Sequence, residues 1–417
     1  MKYDRVTFRP SVLSGTVTAP PSKSMAHRLL VCASLAEGTS TIDNLDLSQD
    51  IRATISCCET LGARISICGR KATVRGTGGV FPAADCPGKR DFFCNESGST
   101  LRFFIPLALL GSGAVKVESV FHGSPTLMTR PLSVYEDLFR KRGIDFTQDP
   151  ESVTVSGSLE SGVFGIPGNI SSQFVSGLLF ALPLLGGDSR IILAGEIGSR
   201  PYMDMTLCAL KQAGISASWD GENSILIPGN QKYRPFDAAV EGDWSNAAFF
   251  YAMNTFGARV SVEGLPEKSL QGDSICIRHF DELCRGFCEI NISDCPDLGP
   301  VLFAVAAGHH GGRFTGTDRL KIKESDRGSA MCAELAKMGI KTESGEDCIT
   351  VYGAEPVKPG TALCSHNDHR IAMALSVLLV RTGGTIDGML AVNKSFPVFF
   401  GCLEQTGADM TYGGELI

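Results

Sequence analysis

ETLGARISI, residues 59–67, reads as the end of an amphipathic helix, a glycine, and the start of a strand. Glycine suits that place because the residue closing a helix commonly sits in the left-handed region, where a Cβ is disfavoured. The residues after it alternate as a half-buried strand does. One such junction is commonplace. This chain repeats it as RKRGIDFTQ (140–148), KQAGISASW (211–219), LCRGFCEIN (283–291), AKMGIKTES (336–344) and EQTGADMTY (404–412). Gly62, Gly143, Gly214, Gly286, Gly339 and Gly407 thus recur at intervals of 53 to 81 residues. Six helix-glycine-strand units predict an α/β protein made from a repeated module. Between the third and fourth, NQKYRPFDAAVEGDWSNAAFF (230–250) gathers turn residues, Pro235 and charge. That marks a boundary with three units on each side.

Composition narrows the function. The chain has 417 residues, 43% hydrophobic and 20% charged, as expected of a globular protein of two or three domains. No cationic segment followed by an apolar one opens the sequence. Apolar runs such as IAMALSVLLV (371–380) fall short of the ~18 residues of a membrane span. The expectation is a cytoplasmic protein with no membrane partner. A net charge of -7 argues against nucleic acid. Fifteen cysteines, scattered without zinc or redox spacing, read as reduced core thiols. In so acidic a chain, each cluster of Lys and Arg needs a local reason.

PSKSMAHR (21–28) is the first such cluster. Pro20 and Pro21 end a strand, and Lys23 and Ser24 open a helix. Free N–H groups and the positive end of the helix dipole favour an anion there, and Arg28 can reach the same side. A capped, solvated first turn would also account for it. GNISSQF (168–174) places Ser171, Ser172 and Gln173 before an apolar helix, and GSRPYMDM (198–205) places Ser199, Arg200 and Tyr202 before another. In NESGSTLR (95–102), Gly98 would let a ligand approach the backbone beside Arg102. Arg130, in LMTRPL (127–132), looks like a surface residue.

The second half is more heavily charged. RLKIKESDR (319–327) sets Lys321, Lys323, Glu324, Asp326 and Arg327 before a helix, with Lys323 and Arg327 expected on one face. SHNDHR (365–370) caps a helix with Asn367 or Asp368 and puts Arg370 in its first turn, where a cation is unfavourable unless an anion is near. DCPDLGPVL (294–302) starts a buried helix at Asp297, and AVNKSFP (391–397) places Lys394 at a strand-to-loop change. GTGGVF (76–81) and GSGAVK (111–116) complete no dinucleotide fingerprint, and no P-loop occurs. His309 and His310, in GHHGG, lack neighbours at zinc-ligand spacing.

Taken together, PSKSMAHR, SSQF, VEGDWS, KESDR, NDHR and NKSFP resemble, in order and over nearly the whole chain, the 5-enolpyruvylshikimate-3-phosphate synthases. The resemblance implies the two-domain enolpyruvyl transferase fold, an inside-out α/β barrel. Each domain would have three repeats of a small α/β unit, and helix N-termini would converge on an active site in the interdomain cleft. One domain would be 21–239 and the other 1–20 with 240–417. The implied reaction transfers the enolpyruvyl group of phosphoenolpyruvate to the 5-hydroxyl of shikimate 3-phosphate and releases phosphate. It implies no metal or organic cofactor, small-molecule substrates only, and a monomer.

By the same resemblance Asp297, Glu324 and Lys23 are catalytic. Lys23, Ser24, Arg28, Ser171, Ser172, Gln173, Ser199, Tyr202, Asp297 and Lys323 meet shikimate 3-phosphate. Lys23, Gly98, Arg130, Gln173, Arg327, Arg370 and Lys394 meet phosphoenolpyruvate. Two places depart from the family pattern: Glu96-Ser97-Gly98-Ser99 replaces Asn-Ala-Gly-Thr, and Gly328 stands where an apolar residue opens the helix. The alternatives are a UDP-N-acetylglucosamine enolpyruvyl transferase, with the same fold and donor, and a non-catalytic anion-binding protein.

Overall fold

The helix before Gly62 ends at Thr60, the glycine takes φ +101°, and the strand Arg64–Cys68 follows as the outer, antiparallel strand of a four-stranded sheet. This computed structural model describes residues 3–81, 88–111, 117–353 and 357–415, so most of GSGAVK lies outside the described residues. The chain divides into two units, Met1–Pro20 with Gly242–Ile417, and Pro21–Glu241.

The unit Pro21–Glu241 contains helices α1 (Lys23–Leu35), α2 (Gln49–Thr60), α3 (Gly98–Ala108), α4 (Pro125–Met128), α5 (Ser133–Arg140), α6 (Ser172–Ala181) and α7 (Arg200–Gln212). Three sheets share one strand order. Lys89–Phe93 runs parallel to Glu118–His122, which pairs antiparallel with Ser152–Ser156, and Asp145–Gln148 forms the edge. Val163–Pro167, Ser189–Ala194, Ser224–Ile227 and Ser218–Trp219 repeat that order. In the third sheet Asp237–Ala239, from the end of the unit, supplies the parallel strand beside Thr39–Asp43. Helices α1, α3 and α6 are buried along nearly their whole length; α6 is apolar on almost every side, while α1 also buries His27 and Arg28 and α3 buries Arg102.

The other unit contains α8 (Trp244–Thr255), α9 (Cys276–Arg285), α10 (Gly299–Gly308), α11 (Arg327–Lys337), α12 (His369–Thr382) and α13 (Phe399–Gln405). Cys288–Asn291, Gly312–Thr315, Cys348–Val351 and Thr342–Ser344 repeat the same sheet. So do Thr361–Cys364, Gly384–Asp387, Tyr3–Arg9 and Asp409–Glu415, with the N-terminal strand taking the third place. The remaining sheet is only Ser14–Thr18 beside Arg259–Glu263. Helices α8, α10 and α12 fill this unit's core, and each unit has a separate apolar cluster. Among the described residues no helix is long and apolar enough to cross a membrane.

Five of the six glycines take positive φ before an antiparallel edge strand. Gly286 does not. Its φ of 167° is extended backbone, and the strand after it is the parallel first strand of the next sheet. The two-stranded sheet has no antiparallel pair for a left-handed corner to feed. An added Cβ meets nothing within 4 Å at either Gly286 or Gly339, whose φ is +82°, so the two sites differ only in backbone. Gly339→Ala is expected to cost about 1–2 kcal/mol, and Gly286→Ala close to nothing, in denaturant unfolding midpoints. Equal losses would contradict this account.

Candidate active site

In each of the six sheets one strand of a parallel pair feeds a buried helix, and the helix N-termini carry the charged and hydroxyl residues. In α/β proteins ligands bind beyond the carboxyl ends of such strands. In the unit Gly242–Ile417 the focus is Asp297, in a short 3₁₀ turn ahead of α10. Its Oδ1 accepts from Lys323 Nζ at 3.1 Å and from an Arg327 guanidinium nitrogen at 2.8 Å. Arg370 lies 3.8 Å from Oδ2. Lys323 ends a 3₁₀ turn and Arg327 opens α11, so their convergence comes from the corner between the two elements and not from one helix face.

Arg327 is the hub. It is 1% exposed and also donates to Glu324 at 2.7 Å and, through Nε, to Asp368 at 2.8 Å. Asp368 caps α12 by accepting the Arg370 N–H at 2.8 Å. A cation tolerates the first turn of that helix because the charges of Asp297, Asp243 and Asp273 favour it against both burial and the helix dipole. Arg370 donates to the Ser245 carbonyl at 2.9 Å, while its Nε is buried without a hydrogen-bond partner. Lys394 ends a 3₁₀ helix, Met389–Lys394, where a strand-to-loop change was expected, and donates to the Asn367 carbonyl at 2.7 Å.

Burial would push the Asp297 carboxyl up, but Lys323, Arg370 and Arg327 together hold it well below the usual carboxylate range. Asp273, which sequence reading passed over, shows the reverse. It is 1% exposed, its Oδ2 accepts from the Ser245 hydroxyl, and its Oδ1 has no hydrogen-bond partner. Burial, then the charge of Asp297, raises it to about 7. Between pH ~4 and ~7 the folded chain therefore holds a proton there that the unfolded chain has lost, so stability falls as pH rises through that window. Asp273→Asn is expected to flatten the decline of the melting temperature between pH ~4 and ~7. An unchanged slope would count against it.

The unit Pro21–Glu241 brings a second set together. Ser22 caps α1, which begins at Lys23 and Ser24, and Lys23 Nζ donates to Asp50 in the first turn of α2 at 2.8 Å. Arg28 is buried and donates to the Ser24 carbonyl at 2.7 Å, the Thr206 hydroxyl at 2.8 Å and the Tyr202 carbonyl at 2.9 Å. Burial lowers it to about 10, which leaves it cationic at neutral pH. Ser171 caps α6, with Ser172 buried behind it, and Ser199 enters α7 in the left-handed region at φ +56°.

A third group surrounds Gly98. Arg102 donates to Gln173 Oε1 at 2.9 Å, and Gln173 Nε2 donates to Ser99 at 2.9 Å. A Cβ on Gly98 would stand 2.8 Å from an Arg102 nitrogen and 2.9 Å from one of Arg130. A side chain at 98 would push the ends of both guanidiniums back from the first turn of α3. Arg130 is no surface residue: it is 8% exposed, and its Nε is buried without a hydrogen-bond partner.

Other residues fall away from these groups. Lys321 is exposed and pairs with Asp318 at 2.6 Å. Arg200 lies over the Trp219 ring at 4.1 Å. A thiol does approach His309, with Cys284 Sγ 3.7 Å from Nε2, but no group of three or more metal-binding side chains occurs among the described residues. The described cysteines are all free thiols. At Gly328 an added Cβ would lie 2.8 Å from Ile349 Cδ1, so Ile349 fills the space an apolar side chain would otherwise take.

The comparisons with known proteins agree with one another. The family EPSP synthase (3-phosphoshikimate 1-carboxyvinyltransferase) matches residues 8–403. A 3-phosphoshikimate 1-carboxyvinyltransferase of Clostridium kluyveri is 38% identical, with 98% of each chain covered. One from Clostridioides difficile is 37% identical over 95% of this chain and 96% of its own. A solved EPSP synthase of Acinetobacter baumannii, 24% identical, superposes with a TM-score of 0.79 over 98% of this chain and 99% of its own.

Proposed function

The chain belongs to the EPSP synthase family, and from that premise we propose that it transfers the enolpyruvyl group of phosphoenolpyruvate to the 5-hydroxyl of shikimate 3-phosphate. The observation that carries the reading is Asp297, an ionised carboxylate ringed by Lys323, Arg327 and Arg370 with Glu324 on the same guanidinium. An anion site alone has no use for two carboxylates among its cations. An addition that moves protons does.

Asp297 takes the proton of the 5-hydroxyl as its oxygen bonds to C2 of phosphoenolpyruvate, and Glu324, which must enter this step protonated, gives its proton to the methylene, which becomes a methyl group. The tetrahedral adduct then loses a methyl proton back to Glu324, the C=C bond re-forms as the C–O bond to phosphate breaks, and the departing phosphate takes the proton held by Asp297. Arg130, Arg327, Arg370 and Lys394, with Gly98 and Gln173, hold the donor. Ser24, Arg28, Ser171, Ser172, Ser199, Tyr202 and Lys323 hold the acceptor, and Lys23 serves both. Fixed cations placed where charge develops stabilise the adduct without reorganising.

Purified protein should release phosphate from phosphoenolpyruvate only when shikimate 3-phosphate is present, and a chelator should leave the rate intact. Release with UDP-N-acetylglucosamine in its place would overturn the acceptor. Binding of both anions without release would reduce the chain to an anion-binding protein.

A further inference from the structure

Glu334 is 0% exposed on α11, and the reaction described above makes no use of it. A carboxylate sealed from water must find its donors in the protein. Lys337, one turn along the same helix, gives its ammonium to both oxygens at 2.8 Å. The other donors belong to the corner between the strand Thr361–Cys364 and α12. The Cys364 backbone N–H donates to Oε2 at 3.0 Å, and His366 Nε2 lies 2.7 Å from Oε1.

That corner follows a course that L-residues resist. His366 and Asn367 stand consecutively at φ +51° and +54°. The Ser365 carbonyl accepts the Asp368 N–H at 2.9 Å across them. Turns with two left-handed central residues usually carry Gly, Asn or Asp there. A histidine persists in such a place only where its surroundings hold it, and Glu334 grips both its ring and the residue two before it. What leaves the corner gives the grip its use. The Asn367 carbonyl receives Lys394 at 2.7 Å, and Asp368 receives Arg327 at 2.8 Å.

We propose that Glu334 is a positioning residue for phosphoenolpyruvate: by fixing the left-handed corner at His366 it sets where Lys394 and Arg327 stand. The proposal rests on the assignment of those two cations to the donor. Turnover by the parent enzyme is therefore measured first, since its absence would sink that assignment.

In an active enzyme, Glu334→Gln should raise the KM for phosphoenolpyruvate about tenfold, with kcat and the KM for shikimate 3-phosphate within threefold of the parent. Adding His366→Gly, which accepts the left-handed course freely, should bring that KM back to within threefold while the melting temperature stays low. His366, with a side chain 37% exposed, gives a second pair should Glu334→Gln not fold. His366→Val should raise the same KM about fivefold and His366→Asn should not, because asparagine tolerates positive φ and a β-branched residue does not. An unchanged KM in folded Glu334→Gln would overturn the proposal. So would a common rise in both KM values that glycine does not relieve, or identical behaviour of valine and asparagine at 366.

Discussion

Asparagine at position 297 is expected to lower turnover by about 10²–10⁴-fold while the affinity for both substrates changes only a few-fold. An amide oxygen can still accept from Lys323 and Arg327, which lie 3.1 and 2.8 Å from the carboxylate, so the local geometry is retained. Loss of a negative charge beside those cations leaves anion binding intact or tighter. What disappears is the basic lone pair. In the free protein Lys323, Arg370 and Arg327 hold Asp297 well below the usual carboxylate range despite its burial, which makes it a poor base. Substrate anions on the same cations would weaken that field and strengthen the base at the moment it is needed. The substitution should therefore show in kcat and not in KM. A variant turning over within tenfold of the parent would remove Asp297 from the chemistry.

The modular architecture could be read from the sequence because each module announces itself locally, by a glycine that closes a helix and an alternating strand after it. Gly286 shows the limit of that signal. The letters LCRGFCEIN match the pattern, but whether the glycine is left-handed depends on which sheet the next strand joins, and that is a non-local choice. Pairing of Tyr3–Arg9 with Asp409–Glu415 and Gly384–Asp387 was equally beyond reach, since no local pattern brings the first residues of the chain to its last.

At the site, helix starts were legible and partners were not. The sequence left the cap of α12 between Asn367 and Asp368; the structure makes it Asp368 and gives it the second task of holding Arg327. Arg130 looked exposed because an arginine before proline usually is, yet the first turn of α3 beside it is glycine, so the guanidinium sits inside. Asp50, Thr206, Asp273 and Glu334 carried no motif. Each becomes visible only once a buried charge or hydroxyl is seen to need a partner. A rule that every half-buried cation has a nearby acid would have called for a partner to Lys23, but would not have named Asp50.

Methionine at position 327 should have the largest effect on stability. Arg327 is 1% exposed and satisfies Asp297, Glu324 and Asp368 at once. Removing one partner of a buried ion pair leaves an uncompensated charge and costs roughly 3–5 kcal/mol, and here three carboxylates lose their shared cation. The melting temperature should fall by about 6–20 °C for a unit of this size, and turnover should vanish with it. Arg327→Lys separates charge from shape. A lysine keeps the positive charge but presents one ammonium where the guanidinium sends separate nitrogens to three acids, at 2.8 Å to Asp297, 2.7 Å to Glu324 and 2.8 Å to Asp368. It should recover part of the lost melting temperature and little of the turnover, because the carboxylates are neutralised but no longer aimed. If lysine restored both, the cluster would need only a charge at that point, and the fork geometry would have no part in the reaction.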